Sequence, residues 1–193
     1  YLTNKAGDVL IMVAPGLRGE IYDRNGKKIV GNSDKYDLIY EYGAMPDTRS
    51  EVNRSLLAII AAIKETGNEY ALTENRCPIE GVYPNMTFRR EVRNKDSAIY
   101  ASYEKFLERQ RMKEENTDAD DIQAYFVKRY KLHSEYYTDQ EITDLIRIYY
   151  EMERADFGQY ASYTVAEGIS TALITRIQES NIEGANFKVS TGR

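Results

Sequence analysis

The chain has 193 residues and a net charge of −5, and it is 42% hydrophobic and 30% charged. This length and composition are those of a folded globular domain with a sizeable core, and they exclude a disordered or collagen-like chain. The acidic balance argues against a nucleic-acid binder that depends on neutralising phosphates. No apolar run of about 18 residues is present, so the sequence predicts no membrane-spanning segment.

Strands and turns are predicted for the first forty or so residues. The dipeptide Asn25-Gly26 lies between two extended segments, 19–23 and 27–31. This is a strong hairpin signal, because both central residues of the tight turn need a positive φ. An apolar run at 9–14 and the alternating segment 36–42 add two more strands, so we expect a small antiparallel sheet.

From residue 47 the apolar period changes from that of a strand to that of a helix. Four helices are predicted in the middle of the chain, and residues 68–95 are expected to be irregular. The first is capped by Asp47 or Thr48 and ended by Gly67, and the second is capped by Asp96 or Ser97. The apolar face of the third helix consists of Ile122, Tyr125, Phe126 and Tyr130. The fourth begins at the capping box Thr138–Glu141, and its apolar face consists of Ile142, Leu145, Ile146 and Tyr149.

The last part of the chain returns to mixed structure. Ser170 is placed to cap a helix that carries Leu173 and Ile177, residues 181–184 break it, and 185–190 alternate as a strand. The sequence therefore predicts an α+β fold in which both ends of the chain contribute to a sheet and the middle is helical.

Tyrosine is unusually abundant, with 17 residues against no tryptophan. Its apolar ring and polar hydroxyl suit both half-buried helix faces and protein interfaces. In each of the adjacent pairs Tyr136-Tyr137 and Tyr149-Tyr150, we expect one ring to be partly exposed. We expect the tyrosines as a group to serve packing or a partner surface.

Catalytic and metal-binding patterns are weak. One cysteine, Cys77, and one histidine, His133, exclude a disulfide framework and a histidine-rich metal site. No phosphate-binding loop, calcium loop or zinc-protease helix is present, so we expect no metal and no cofactor. One enzyme hypothesis remains open, because Ser102 and Lys105 have the S-x-x-K spacing of a serine acyl-transferase.

The most specific pattern in the chain lies between residues 18 and 32. It reads Arg18-Gly19-Glu20-Ile21-Tyr22-Asp23-Arg24-Asn25-Gly26-Lys27-Lys28-Ile29-Val30-Gly31-Asn32. This resembles the R-G-x-I-x-D-R-N-G signature at the start of the extracytoplasmic part of class B penicillin-binding proteins, and it matches that signature at every fixed position.

Two further segments resemble the same family. Residues 160–193, with Glu179 on a helix, then Gly184, then a strand that ends at Arg193, are similar to the passage that leads these proteins into their R-x-Y-P-G motif. Residues 130–156 resemble the helical insert of elongation-type members from Gram-positive bacteria.

The resemblance implies a non-catalytic dimerisation or pedestal domain, with residues 1–45 and 160–193 as a β-rich pedestal and 46–159 as an inserted helical head. It implies that a longer protein, a peptidoglycan D,D-transpeptidase, is anchored at the outer face of the bacterial membrane by a removed segment, as a first residue of Tyr1 rather than Met also suggests. The expected partners are that protein's transpeptidase domain and other cell-wall synthesis proteins or a second copy. A generic extracellular binding domain remains the alternative outside this family.

Charged residues of the two matching segments suggest a structural network. Arg18, Asp23 and Arg24 carry charges that can pair with Glu179 or order Arg193 where the two segments meet. Gly19 would permit close backbone approach beside the turn at Asn25-Gly26. We therefore expect these family-motif residues and Gly184 to have structural rather than catalytic roles.

Overall fold

The computed structural model describes residues 21–22, 28–30 and 34–191. Its strands are β1 Ile21–Tyr22, β2 Lys28–Val30, β3 Asp34–Tyr40, β4 Ile79–Glu80, β5 Thr87–Phe88, β6 Tyr163–Ile169 and β7 Ala185–Thr191. Its α-helices are α1 Arg49–Glu65, α2 Ala98–Gln110, α3 Ala119–Tyr130, α4 Asp139–Arg154 and α5 Thr171–Ser180. The predicted α+β class is confirmed. The predicted strand at 9–14 lies outside the described residues.

The largest sheet has three antiparallel strands in the order β6-β3-β7. The central strand β3 pairs with β7 without interruption, from Asp34 opposite Thr191 to Tyr40 opposite Ala185. Asp37 ties the three strands together, because its Oδ1 accepts hydrogen bonds from the Gly168 backbone N–H at 2.8 Å and the Ser190 hydroxyl at 3.0 Å. The sheet therefore joins strands from both sides of the helical segment, as the sequence predicted.

Strand β6 was not predicted from the sequence. Its burial does not alternate, and its register against β3 shifts at two places, at one of which Gly168 has a positive φ of 62°. The predicted strand at 36–42 also ends earlier than expected, at Tyr40, and Tyr42 begins a short 3-10 turn instead. In both cases, pairing between distant segments determines where the strand lies, and the local sequence does not.

The predicted helix starts are confirmed. Thr48 and Thr138 cap α1 and α4, each within a capping box in which the glutamate three residues later bonds back to the cap. Ser97 and Ser170 cap α2 and α5, and each accepts a hydrogen bond from a backbone N–H of the first turn. Helix α3 begins after Asp118, a cap that was not predicted from the sequence. Local capping chemistry thus sets where these helices begin.

The expectation that one ring of Tyr149-Tyr150 would be exposed was wrong, since the two residues are 1% and 2% exposed. Helix α4 is packed on more than one face. The Tyr149 hydroxyl donates to Asn53 Oδ1 on α1 at 2.5 Å, while Tyr150 shares a hydrogen bond of 2.8 Å with Ser102 on α2. The other pair follows the prediction, because Tyr136 is 74% exposed and Tyr137 is only partly buried.

Among the described residues, one cluster of buried apolar side chains runs from the sheet into the helices. It includes Leu38 and Tyr40 of β3, Leu56 and Ile59 of α1 and Ile146 of α4. Lone Cys77 is also buried in this cluster, as expected for a packing thiol. The division into a pedestal at 1–45 and 160–193 and a head at 46–159 stays a prediction.

The buried acids of this core predict loss of stability at alkaline pH. Burial raises the pKa of Tyr149 and Tyr163 from 10.0 to about 12, and that of Cys77 from 9.0 to about 12. In the folded state these groups stay protonated at pH values where the unfolded chain would release the protons. Their contribution to the stability of the folded state is therefore complete below the unfolded pKa values and is lost as the pH rises towards 12. We expect cooperative unfolding between about pH 9 and 12.

Two signals measured in the same samples check this expectation. The part of the tyrosinate absorbance that comes from the buried rings should rise together with the loss of far-ultraviolet circular dichroism, because the buried hydroxyls ionise only when the chain opens. Full ionisation of all 17 tyrosines while the helical signal is intact would contradict it.

Candidate functional site

Most family-motif residues lie outside the described part of the chain. These are Arg18, Gly19, Asp23, Arg24, Asn25, Gly26 and Arg193. The strands on either side of Asn25-Gly26 are described, and they pair antiparallel with Ile21 opposite Val30 and Tyr22 opposite Lys28. The predicted pairing of these two segments is therefore confirmed, while the network around Arg18 and Arg24 stays a prediction.

Gly184 is a point of very close approach between β7 and β3. Its φ is +85°, and a Cβ built on it would lie 2.5 Å from Tyr40 Cζ. Its carbonyl accepts a hydrogen bond of 2.9 Å from the Glu41 backbone N–H. Because only glycine combines this backbone conformation with the missing Cβ, Gly184 lets the Tyr40 ring lie against the start of β7.

Glu179 is exposed on the last turn of α5, and it makes no ion pair with any described residue. Its neighbour Arg176 is bound to Glu65 of α1 at 2.8 Å. That hydrogen bond raises the pKa of Arg176, and the charge of Glu179 adds a smaller contribution of the same sign. Glu179 therefore lies at the exposed surface of α5, the helix that Arg176 joins to α1.

Ser102 and Lys105 do not form a Ser–Lys pair. Ser102 is 7% exposed, and its hydroxyl is bound to that of Tyr150, whereas the Lys105 side chain is exposed and has no hydrogen bond to it. Both residues border a pocket of about 10 Å³, which has room for about one water molecule. A serine nucleophile needs an adjacent base and space for an acyl substrate, and this site offers neither.

The most chemically distinctive site in the described residues is an open cleft of about 450 Å³ between α1, α3 and α4. We call it the tyrosine–arginine cleft and define it by Arg49, Arg129, Tyr130, Tyr149 and Glu153. The rings of Tyr130 and Tyr149 stack with centroids 3.6 Å apart and planes 9° apart. The Arg49 guanidinium lies beside this stack, 5.2 Å and 5.7 Å from the two ring centroids.

Glu153 organises the other side of the cleft. Its carboxylate accepts hydrogen bonds from the Tyr130 hydroxyl at 2.6 Å and the Tyr125 hydroxyl at 3.1 Å, and it forms an ion pair with Arg129 at 3.1 Å. Burial, with the charge of Glu153 as the next cause, raises the pKa of Tyr130 well above its ordinary value. Both hydroxyls are therefore neutral donors to Glu153 throughout the physiological pH range.

This cleft was not predicted as a site from the sequence. No local pattern links Arg49 at the start of α1 to Tyr130 at the end of α3. The one available signal was the basic run Lys128-Arg129-Tyr130-Lys131 in an acidic chain. Such a run at a helix C-terminus is also what the helix dipole favours, so it does not single out a site.

Among the described residues, no group of three or more His, Cys, Asp or Glu side chains is arranged to hold a metal ion. In that same part of the chain, none of the helices combines the length and apolar character needed to cross a membrane.

Comparison with known proteins agrees with the resemblance seen in the motifs. The family model of the penicillin-binding protein dimerisation domain matches residues 13–193. A comparison with curated proteins finds no significant match. Because the family match spans nearly the whole sequence, the chain belongs to the penicillin-binding protein dimerisation domain family, and it is a non-catalytic dimerisation module.

Proposed function

We propose that this module positions the catalytic domain of a peptidoglycan D,D-transpeptidase and offers surfaces to other cell-wall synthesis proteins or to a second copy. In this proposal the longer protein is anchored in the bacterial membrane and the module stands at its outer face. The similarity of residues 130–156 to the helical insert of elongation-type proteins supports a role in elongation.

The observation that carries the proposal is the pairing of β3 with β7. Asp34, where β3 starts, is opposite Thr191, where β7 ends. The chain therefore enters β3 and leaves β7 at the same end of one sheet. A module built this way transmits the orientation of the preceding segment to the following one through seven paired positions instead of through a flexible linker.

A flexible insertion tests this coupling in the full-length gene product. A Gly-Ser segment of about ten residues, with an end-to-end distance of about 17 Å, would be inserted after Thr191. We expect fluorescent penicillin to acylate this variant normally, because acylation depends on the catalytic domain alone, while cross-linking of glycan strands falls at least about tenfold through lost positioning.

The matched control has the same insertion in the exposed turn at 114–116, which does not lie between the sheet and the following chain. It should keep both activities. Unchanged cross-linking after the Thr191 insertion would overturn the proposal. Labelling of the 193-residue chain by fluorescent penicillin that disappears in Ser102→Ala would instead favour the acyl-transferase hypothesis.

A further inference from the structure

The tyrosine–arginine cleft has a surplus positive charge. Arg129 is balanced by Glu153, and the Glu153 carboxylate is fully engaged, because it also accepts the hydroxyls of Tyr125 and Tyr130. Arg49 has no carboxylate within ion-pair distance among the described residues. The cleft therefore holds two guanidinium groups and one carboxylate.

The carboxylates nearest to Arg49 in sequence do not compensate for it. Glu51 is committed to the capping box of α1, where its carboxylate accepts from the Thr48 backbone N–H and hydroxyl. Asp47 is exposed, and no described hydrogen bond or ion pair joins it to Arg49. The acidic group that would neutralise Arg49 is thus not supplied by the charged residues that flank the start of α1.

The guanidinium of Arg49 is restrained by its neighbours but keeps hydrogen-bond donors available for a ligand. It lies beside two stacked rings, and its one hydrogen bond to a described residue is a long contact of 3.4 Å to the Tyr149 hydroxyl. That hydroxyl is fixed in turn by Asn53, whose amide donates to the Tyr130 carbonyl oxygen at 3.1 Å. The side chain has therefore lost much of its freedom already, while most of its five donors remain available for a carboxylate.

Apolar side chains border the same cleft. Tyr42 is 45% exposed at its edge, and Met45 and Phe157 line it beside the tyrosine rings. A free anion would use only the guanidinium, whereas a peptide could also cover the apolar wall. Arginine and tyrosine, together with tryptophan, are enriched among the residues that dominate binding at protein interfaces.

We propose that the tyrosine–arginine cleft binds an acidic side chain, flanked by apolar residues, on an extended segment of a partner protein. The carboxylate accepts from Arg49, and the neighbouring apolar side chains pack on Tyr42, Met45 and Phe157. This inference rests on the proposed role in partner contacts and names one place where such a contact is made.

In the test, the chain itself is titrated with a terminally blocked peptide, Gly-Leu-Glu-Leu-Gly. Binding is measured from the changes in the amide chemical shifts of the chain. We expect saturable shifts around Arg49, Tyr130 and Tyr149. The same peptide with Gln in place of Glu should bind at least about tenfold more weakly, since a charge-assisted hydrogen bond is lost. Inorganic phosphate should produce no saturable shifts at these positions.

Two arginine substitutions make the test specific. Arg49→Gln should abolish the preference for the Glu peptide over the Gln peptide, and Arg49→Lys should weaken it because lysine lacks the planar fork. Arg93→Gln, an exposed arginine outside the cleft, should change nothing.

Three results would overturn the inference. They are equal binding of the Glu and Gln peptides, phosphate binding as strong as the Glu peptide, and an unchanged preference in Arg49→Gln. None of these readouts depends on cross-linking activity, so their failure is distinct from failure of the proposed positioning role.

Discussion

Gly184→Ala is expected to lower the free energy of unfolding by about 3 kcal/mol and the melting temperature by about 6–12 °C. The new methyl group would lie 2.5 Å from Tyr40 Cζ, and the Tyr40 side chain is fully buried and cannot swing away. The positive φ of 85° adds backbone strain that alanine tolerates poorly. Urea unfolding and thermal melts of the purified chain measure both quantities.

Two other glycines separate the clash from the backbone strain. Gly67 has a φ of +65° with no atom within 4 Å of an added Cβ, so Gly67→Ala should cost only about 1 kcal/mol. Gly43 has neither a positive φ nor a close neighbour, and its alanine variant should stay within about 0.5 kcal/mol of the parent chain. In a Tyr40→Leu background the penalty of Gly184→Ala should shrink, because the ring that causes the clash is gone. A cost for Gly184→Ala no larger than that of Gly67→Ala would contradict the steric argument.

Glu151→Ala is expected to cost about 3 kcal/mol, because it removes a buried carboxylate that fastens a loop to α4. Glu151 is 1% exposed, and its two oxygens accept from the Arg76 backbone N–H and from Arg154 Nε, each at 2.6 Å. Without it, the Arg76 N–H and part of the Arg154 charge lose their partner. Glu151→Gln keeps an acceptor for the N–H and should cost about half as much.

Cys77 provides a local readout for the same change. Its thiol is buried one residue after Arg76, so loosening of the loop should speed its alkylation by iodoacetamide well before global unfolding. Glu74→Ala is the matched control, since the Glu74 side chain is 68% exposed in its ion pair with Arg76 and should contribute under about 0.5 kcal/mol. Equal stability of the two alanine variants would show that Glu151 is not an anchor.

Local rules accounted for most of the helices. Thr48, Thr138 and Ser170 were identified as caps because a cap is decided by its own side chain and the next three residues. The helix ends at Gly67 and at residues 181–184 followed for the same reason, since a left-handed residue is a local requirement. The stripe of apolar residues on each helix then indicated the face that is buried.

Features fixed by distant segments were the ones missed. Strand β6 has a weak pattern of its own and exists because β3 pairs with it. The burial of both Tyr149 and Tyr150 followed from α1 and α2 packing on two sides of α4, which no single-helix pattern reveals. The tyrosine–arginine cleft joins Arg49 to residues on two later helices, so its chemistry emerges only when the chain is folded.

The central position of β3 also decides the order in which the molecule can assemble. Asp37 of β3 and Ser190 of β7 are in contact although they are 153 residues apart in sequence. Closing so long a loop is entropically costly, whereas each helix forms its hydrogen bonds within a few residues. As the chain is synthesised from its N-terminus, the apolar segment Leu38–Tyr40 is therefore complete long before its partner strand β7. We expect the helices to begin packing during that interval and the sheet to close last.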